Sequence, residues 1–298
     1  MSARDARVSQ RFSRKKSFPE TAVRIWVVTL ILLSVVVSTG CGGGGQGAPS
    51  NNPLSGNWQI TLERHVNPVP PLIFTGFMLE DNNSFTGSLI LGSNCQGVGP
   101  VTGTLSGTNV SLTINEFGEE ISLQGTSSPM AGEFSNLAGG CTAYANTGTW
   151  SAAQVQPLTG SFHGTFTSTL NNPTLNVTGT LTQGPNTGLS TATLSGAIQT
   201  TGPPSFCSYL PPAAISGLIS GTTVALGLYG QNGIEITQLG QIGQINNPQV
   251  VASPGVCATG SSCLLVTADG KSLTGNYTLP ETSAACFPDR GTLQITFP

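Results

Sequence analysis

The chain has 298 residues, of which 38% are hydrophobic and only 8% charged, with 39 Gly and 20 Pro; at ~100–200 residues per domain this is a two-domain length, and its Gly-, Ser- and Thr-rich composition suits strands and turns and excludes long charged helices. Its formal net charge of −3 hides a polarised distribution: Arg4, Arg7, Arg11, Arg14, Lys15, Lys16 and Arg24 lie before Cys41, whereas only Arg64, Lys271 and Arg290 follow it, against eleven acids. A body that acidic cannot neutralise phosphates, so nucleic acid is excluded as a partner.

The chain opens with the basic segment ending at Arg24. An apolar run of thirteen residues follows, Ile25 to Val37. As a helix it would span ~20 Å, short of the ~30 Å hydrocarbon core, which predicts a signal-peptide core in place of a spanning helix. Small residues Ser38, Thr39 and Gly40 then lead to Cys41. In residues 20–45 the chain resembles bacterial lipoproteins, whose lipobox ends in a cysteine. Gly40 and Cys41 fill its last two positions and Thr39 is acceptable before them, while Ser38 departs from the usual Leu. The resemblance implies that residues 1–40 are a signal peptide cut before Cys41, that diacylglycerol is attached to the Cys41 thiol, and that the new amine is acylated with palmitate-type chains. Several acyl chains at ~0.8 kcal/mol per buried CH₂ make a stable membrane anchor. No Asp follows Cys41, which in the resembled lipoproteins points to the outer membrane. Residues 41–53 are a Gly-rich tether without folding capacity.

Residues 54–153 read as a first β-domain. Trp58, Ile60 and Leu62 alternate with Asn57, Gln59 and Thr61, and Val110, Leu112 and Ile114 alternate with Asn109, Ser111 and Thr113. Period two with Gly, Asn and Pro turns predicts antiparallel strands with one buried face. His65 precedes the turn Asn67-Pro68-Val69-Pro70-Pro71 and reads as a rim residue. Glu116, Glu119 and Glu120 read as a solvated hairpin turn; their spacing does not match an EF-hand, so no metal is expected. The segments LSGNW (54–58), FTG (74–76) and GTW (148–150) resemble small up-and-down barrels of the avidin and lipocalin class, which implies a fold and no function. A link is expected near Ser151–Pro157.

Residues 158–298 repeat the first domain. Leu54, Gly56, Trp58 and Leu62 correspond to Leu158, Gly160, Phe162 and Phe166, and Thr75-Gly76 to Thr178-Gly179. VTGTLSGTNVSL (101–112) matches ISGLISGTTVAL (215–226), ISLQGTSSPMAGEF (121–134) matches LLVTADGKSLTGNY (264–277), and Gly148-Thr149 matches Gly291-Thr292. The conserved order of these matches indicates duplication. His163 falls opposite Gln59 on the outward face. Gly164 stands where the first copy has Ile60, so a cavity is expected in the second copy sooner than in the first. Asp269-Gly270 predicts a tight hairpin turn. Residues 229–262 have no counterpart in the first copy and are expected to form an insertion, a hairpin or lid that carries the main partner contact.

Seven cysteines are present. Lipidation of Cys41 leaves an even six, which suits an oxidising compartment but allows 15 pairings. The repeat sets Cys95 opposite Cys207 and Cys141 opposite Cys286, which predicts Cys95–Cys141 and Cys207–Cys286 and leaves Cys257 to pair with Cys263. The spacings match no metal knuckle. With no GxSxG, HExxH or P-loop signature, neither a catalytic residue nor a cofactor is expected. The sequence therefore predicts an all-β protein of two tandem duplicated antiparallel domains, each a small meandering barrel or sandwich stapled by disulfides, behind a signal peptide and a tether. It is expected to be a lipid-anchored envelope protein with a non-catalytic structural or interaction role and a protein or small-molecule partner. The alternative is binding of an apolar or glycan ligand inside a calycin-like barrel.

Overall fold

The computed structural model describes residues 54–65, 71–91, 97–116, 118–136, 146–170, 172–201, 212–230, 235–239, 264–279 and 289–298. Cys41, the tether and the six other cysteines lie outside the described residues. The described residues contain no helix; their strands form two tandem antiparallel closed barrels.

The first barrel runs β1 (Gly56–Arg64), β2 (Leu72–Asp81), β3 (Ser84–Leu91), β4 (Gly97–Ser106), β5 (Asn109–Glu116), β6 (Glu119–Ser127), β7 (Met130–Asn136) and β8 (Asn146–Val155), each paired with the next, and β8 closes the ring on β1. The second runs β9 (Gly160–Ser168), β10 (Leu175–Gln183), β11 (Ala192–Thr201), β12 (Ala213–Ser220), β13 (Thr223–Tyr229), β14 (Glu235–Leu239), β15 (Leu264–Val266), β16 (Ser272–Leu279) and β17 (Asp289–Thr296). β17 pairs with β9 and β12 with β13, so an eight-stranded ring again closes, with β14 and β15 sharing one edge of β13. Because β8 extends to Val155 and β9 begins at Gly160, the link between the barrels is residues 156–159, overlapping the stretch Ser151–Pro157 expected from the sequence.

Alternation of inward and outward residues builds both rings. In β17 Asp289, Gly291, Leu293 and Ile295 are buried, while Arg290, Thr292, Gln294 and Thr296 are exposed. An eight-stranded barrel has an interior just wide enough for side chains to fill. Trp58, Leu62, Phe74, Met78, Phe85, Leu112, Phe134 and Trp150 are among those filling the first, and Phe162, Phe166, Leu181, Leu226, Tyr277 and Leu293 among those filling the second. Matching glycines let the tightly coiled strands approach. A Cβ on Gly103 would lie 2.2 Å from the Ser111 carbonyl oxygen, and one on its counterpart Gly217 2.2 Å from that of Ala225. The same crowding is found at Gly164. A Cβ there would fall 2.0 Å from the Gln294 carbonyl oxygen, so the β17 backbone occupies the space that the absent side chain leaves.

The register also redraws the insertion. In the first barrel β6 pairs along the whole of β5, from Glu116↔Glu119 to Asn109↔Thr126. In the second, β14 pairs with Leu226–Tyr229 and β15 with Thr223 and Val224, so residues 235–239 belong to the wall and two described strands share the edge of β13. The β6–β7 turn closes at Ser127↔Met130, whereas the β15–β16 turn closes at Val266↔Leu273 and is four residues longer. The match of 121–134 to 264–277 is therefore in register over β7 and β16 and four residues out over β6 and β15.

One end of the second barrel packs against the outer wall of the first. Phe77 and Val155 alternate outward from their own barrel yet belong to the second barrel's core, only 1% and 2% exposed. Around them, Asn57 and Gly221 exchange two hydrogen bonds, Asn57 Nδ2 donating to the Gly221 carbonyl at 2.9 Å and Gly221 N–H to Asn57 Oδ1 at 2.7 Å. Ser220 Oγ donates to Thr75 Oγ1 at 2.8 Å and Thr222 Oγ1 to Gln59 Oε1 at 2.6 Å. The 184–191 loop adds Asn186 Nδ2 donating to the Met78 carbonyl at 2.8 Å, and the 267–271 turn receives Gln156 N–H on the Ala268 carbonyl at 2.8 Å. The first barrel closes its own corresponding end with Leu54, whose carbonyl accepts the Trp58 indole N–H at 2.9 Å.

Candidate functional site

Among the described residues, polar or open structure away from the barrel–barrel contact is found at the far mouth of each barrel and in a groove on the second barrel's wall. The mouths lie where β1 and β9 end and where β8 and β17 begin.

At the second mouth, Asp289 is 1% exposed and points inward as the first residue of β17. Its carboxylate accepts hydrogen bonds from Tyr277 Oη at 2.8 Å, Ser168 Oγ at 2.5 Å and Asn172 Nδ2 at 3.1 Å. Three donors satisfy a charge that would be costly if buried alone. Burial first, and then the hydrogen bond to Asp289 and its charge, push the Tyr277 phenol above its ordinary value of 10.0. At the first mouth Glu119 is buried and accepts a hydrogen bond from Asn136 Nδ2, while Asn136 Oδ1 accepts the Asn146 N–H at 2.7 Å. Arg64 Nε is buried with no hydrogen-bond partner among the described residues.

These placements alter the reading of the acidic turn. Glu120 is exposed as a turn residue should be, but Glu119 shares the inward face with Ile121 and Leu123 because β6 begins at Glu119. Among the described residues no group of three or more His, Cys, Asp or Glu could hold a metal ion. His65 and His163 are both exposed and sit in different barrels. His163 and Ser168 lie on opposite faces of β9, five positions apart, so the hydroxyl that meets Asp289 has its back to that imidazole. The geometry there is a lock joining β9, β16 and β17.

The cysteines are approached only through the strand ends that flank them. Cys95 falls between the end of β3 and the start of β4, and Cys141 between the end of β7 and the start of β8. Cys207 and Cys286 fall between the corresponding strands, β11 and β12, β16 and β17. In a meandering ring of eight, both sets of flanking ends lie at the same mouth, four strands apart.

The groove has a volume of about 440 Å³ and lies against β9, β10 and β11. Outward residues Ser161, Thr178, Thr180 and Gln199 line it, together with Phe162, Ala197 and Pro212. Its polar lining is uncharged, and no motif in the sequence marked it; the signal available was positional, since these residues match the first barrel's docking wall. No protein-family model, curated protein or solved structure matches the chain.

Proposed function

We propose that this protein is a lipid-anchored component of the bacterial cell envelope, tethered through Cys41 and lying at the outer membrane, with a non-catalytic role in contacts made by its barrels. The observation that carries the reading is the apolar run Ile25–Val37 ending in Ser38-Thr39-Gly40-Cys41, followed by a glycine tether and then by a body built for rigidity. Packed interiors favour this role over ligand capture in a lumen, because Trp58, Phe74, Met78, Phe134 and Trp150 occupy the space that a calycin-type ligand would need. Disulfides Cys95–Cys141 and Cys207–Cys286 would each cross one barrel mouth, and connections of five and nine residues in the first barrel are long enough to meet over it at ~3.3 Å per residue. Cys257–Cys263 would close a loop between β14 and β15.

One measurement tests the anchor and the staples: peptide mass mapping, without reduction, of the full chain purified from its own membranes. The expected amino-terminal peptide begins at Cys41 and carries a diacylglyceryl group and an amide-linked acyl chain. The expected cross-linked peptides join 95 to 141, 207 to 286 and 257 to 263. An unmodified Cys41 within an uncut chain overturns the anchor, and a bond from Cys95 to Cys207 overturns the staples.

A further inference from the structure

The two barrels carry equivalent surfaces, of which only one set is in use. In the first barrel, outward residues Asn57, Gln59 and Thr75 of β1 and β2 receive the second barrel's turn Ser220-Gly221-Thr222, while Phe77 beside them joins the second barrel's core. Strand pairing puts Asn57 beside Phe77 and Gln59 beside Thr75. The second barrel repeats this register, Ser161 beside Thr180 and His163 beside Thr178. There Ser161, His163 and Thr180 are exposed and Thr178 is half-buried, and the 440 Å³ groove is lined by Ser161, Thr178 and Thr180.

The docking turn has its twin as well. Ser106-Gly107-Thr108 has the same sequence as Ser220-Gly221-Thr222 and the same hairpin register, Ser106↔Asn109 against Ser220↔Thr223. Gly107 has φ +61° and Gly221 φ +54°, so the backbone shape is shared. Their surroundings are opposite. A Cβ on Gly221 would meet Thr75 Cγ2 at 2.5 Å, whereas one on Gly107 would meet nothing within 4 Å. Ser106, Gly107, Thr108 and Asn109 are all exposed.

We infer that the free turn 106–109 of one molecule docks in the groove over Ser161, Thr178 and Thr180 of a second copy of this chain, repeating between molecules the contact that joins the barrels within one. The contact is heterologous, turn to wall, so each molecule offers one of each and copies add head to tail. Threonine keeps the place of Thr75 at Thr178, and His163 replaces Gln59 as a polar partner for Thr108. The apolar plug is absent, because Thr180 stands where Phe77 stands. The intermolecular contact is accordingly weaker than the internal one and reversible. Confinement of many copies to one surface raises their effective concentration and compensates in part. This names the partner for the contact role proposed above, but it depends only on the barrels, so its failure leaves the lipid anchor untouched.

The test places a photo-crosslinking amino acid at position 178 of the full chain in its native membrane. The expected product has twice the mass of the chain, and its cross-linked peptide contains residues 106–109. Thr108→Arg in the same chain should abolish the product, while Glu120→Arg at the opposite mouth should leave it unchanged. Adding a second chain with an intact turn should restore the product to the Thr108→Arg chain, which shows that its fold and wall survive. No product, a product with a different protein, a cross-link to another segment, or a product that persists in Thr108→Arg would each overturn the inference.

Discussion

The turn Ser106-Gly107-Thr108 stands in solvent, while its duplicate Ser220-Gly221-Thr222 is packed on the neighbouring barrel with hydrogen bonds to Asn57, Gln59 and Thr75. The three turn residues are identical; what faces them differs. Each barrel must also close the end from which that turn projects. The first does so with its own Leu54, and the second uses Leu158 together with Phe77 and Val155, borrowed from outside. At the opposite mouths the duplicates have diverged in charge: Arg64, Phe134 and Asn146 in one barrel correspond to Ser168, Tyr277 and Asp289 in the other. Duplication has thus made one barrel that is complete alone and one whose core is finished by its neighbour.

The sharpest way to break that comparison is Phe77→Ala. The side chain is 1% exposed, in the second barrel's core, and contributes nothing to the first barrel's interior. Truncating a buried Phe costs ~3–5 kcal/mol. Denaturant unfolding followed by hydrogen exchange should show that loss in the second barrel's strands, with β5 and β6 keeping their protection. Equal loss in both barrels, or a change under ~1 kcal/mol, would mean that the second barrel closes itself.

A smaller effect comes from the paired substitutions Gly107→Ala and Gly221→Ala. Both residues have positive φ, so each alanine meets the same backbone penalty of ~1–2 kcal/mol. Only Gly221→Ala also drives a methyl into Thr75, and overpacking adds ~1–3 kcal/mol. The difference in unfolding free energy between the two variants isolates the barrel–barrel contact. Equal costs would indicate that the turn yields freely and the docking is soft.

Alternation alone revealed the strands, because Trp58, Ile60 and Leu62 on one face and Asn57, Gln59 and Thr61 on the other leave little choice of period. The duplication was legible for the same reason, and the repeated SGT turns carried it into register. Phe77 was missed although its signal was present: Phe74 and Met78 occupy the inward face of β2 and Ile73, Phe77 and Leu79 the outward one. A strand apolar on both faces is covered on both. Glu119 was misplaced because a cluster of three glutamates reads as solvated, whereas a strand beginning at Glu119 turns that side chain inward with Ile121 and Leu123. The wall strand split into β14 and β15 escaped notice because five and three residues are too few for a period to emerge, so its first half was assigned to the insertion. The groove had no chemical signature; it is visible only once equivalent surfaces can be compared.

The least of the expected effects concerns pH and the divergence at the mouths. Burial, reinforced by Asp289, holds the Tyr277 phenol protonated above its ordinary value of 10.0. A group whose folded value is raised binds its proton more tightly in the folded chain. Its stabilising effect is complete below the unfolded value and fades as pH rises from there toward the folded one. Above about pH 10 the second barrel should therefore lose stability, with a slope approaching ~1.4 kcal/mol per pH unit for one group. Tyr277→Phe should cost about 1–2 kcal/mol at neutral pH, since Asp289 loses a donor. The same substitution should remove the alkaline slope, because no phenol remains to titrate there. The first barrel supplies the control, as Phe134 already occupies the corresponding position. Unfolding followed through the strands of each barrel between about pH 8 and about pH 11 separates these outcomes: if wild type and Tyr277→Phe weaken in parallel, the alkaline loss arises elsewhere and the Tyr277–Asp289 pair is only a hydrogen bond.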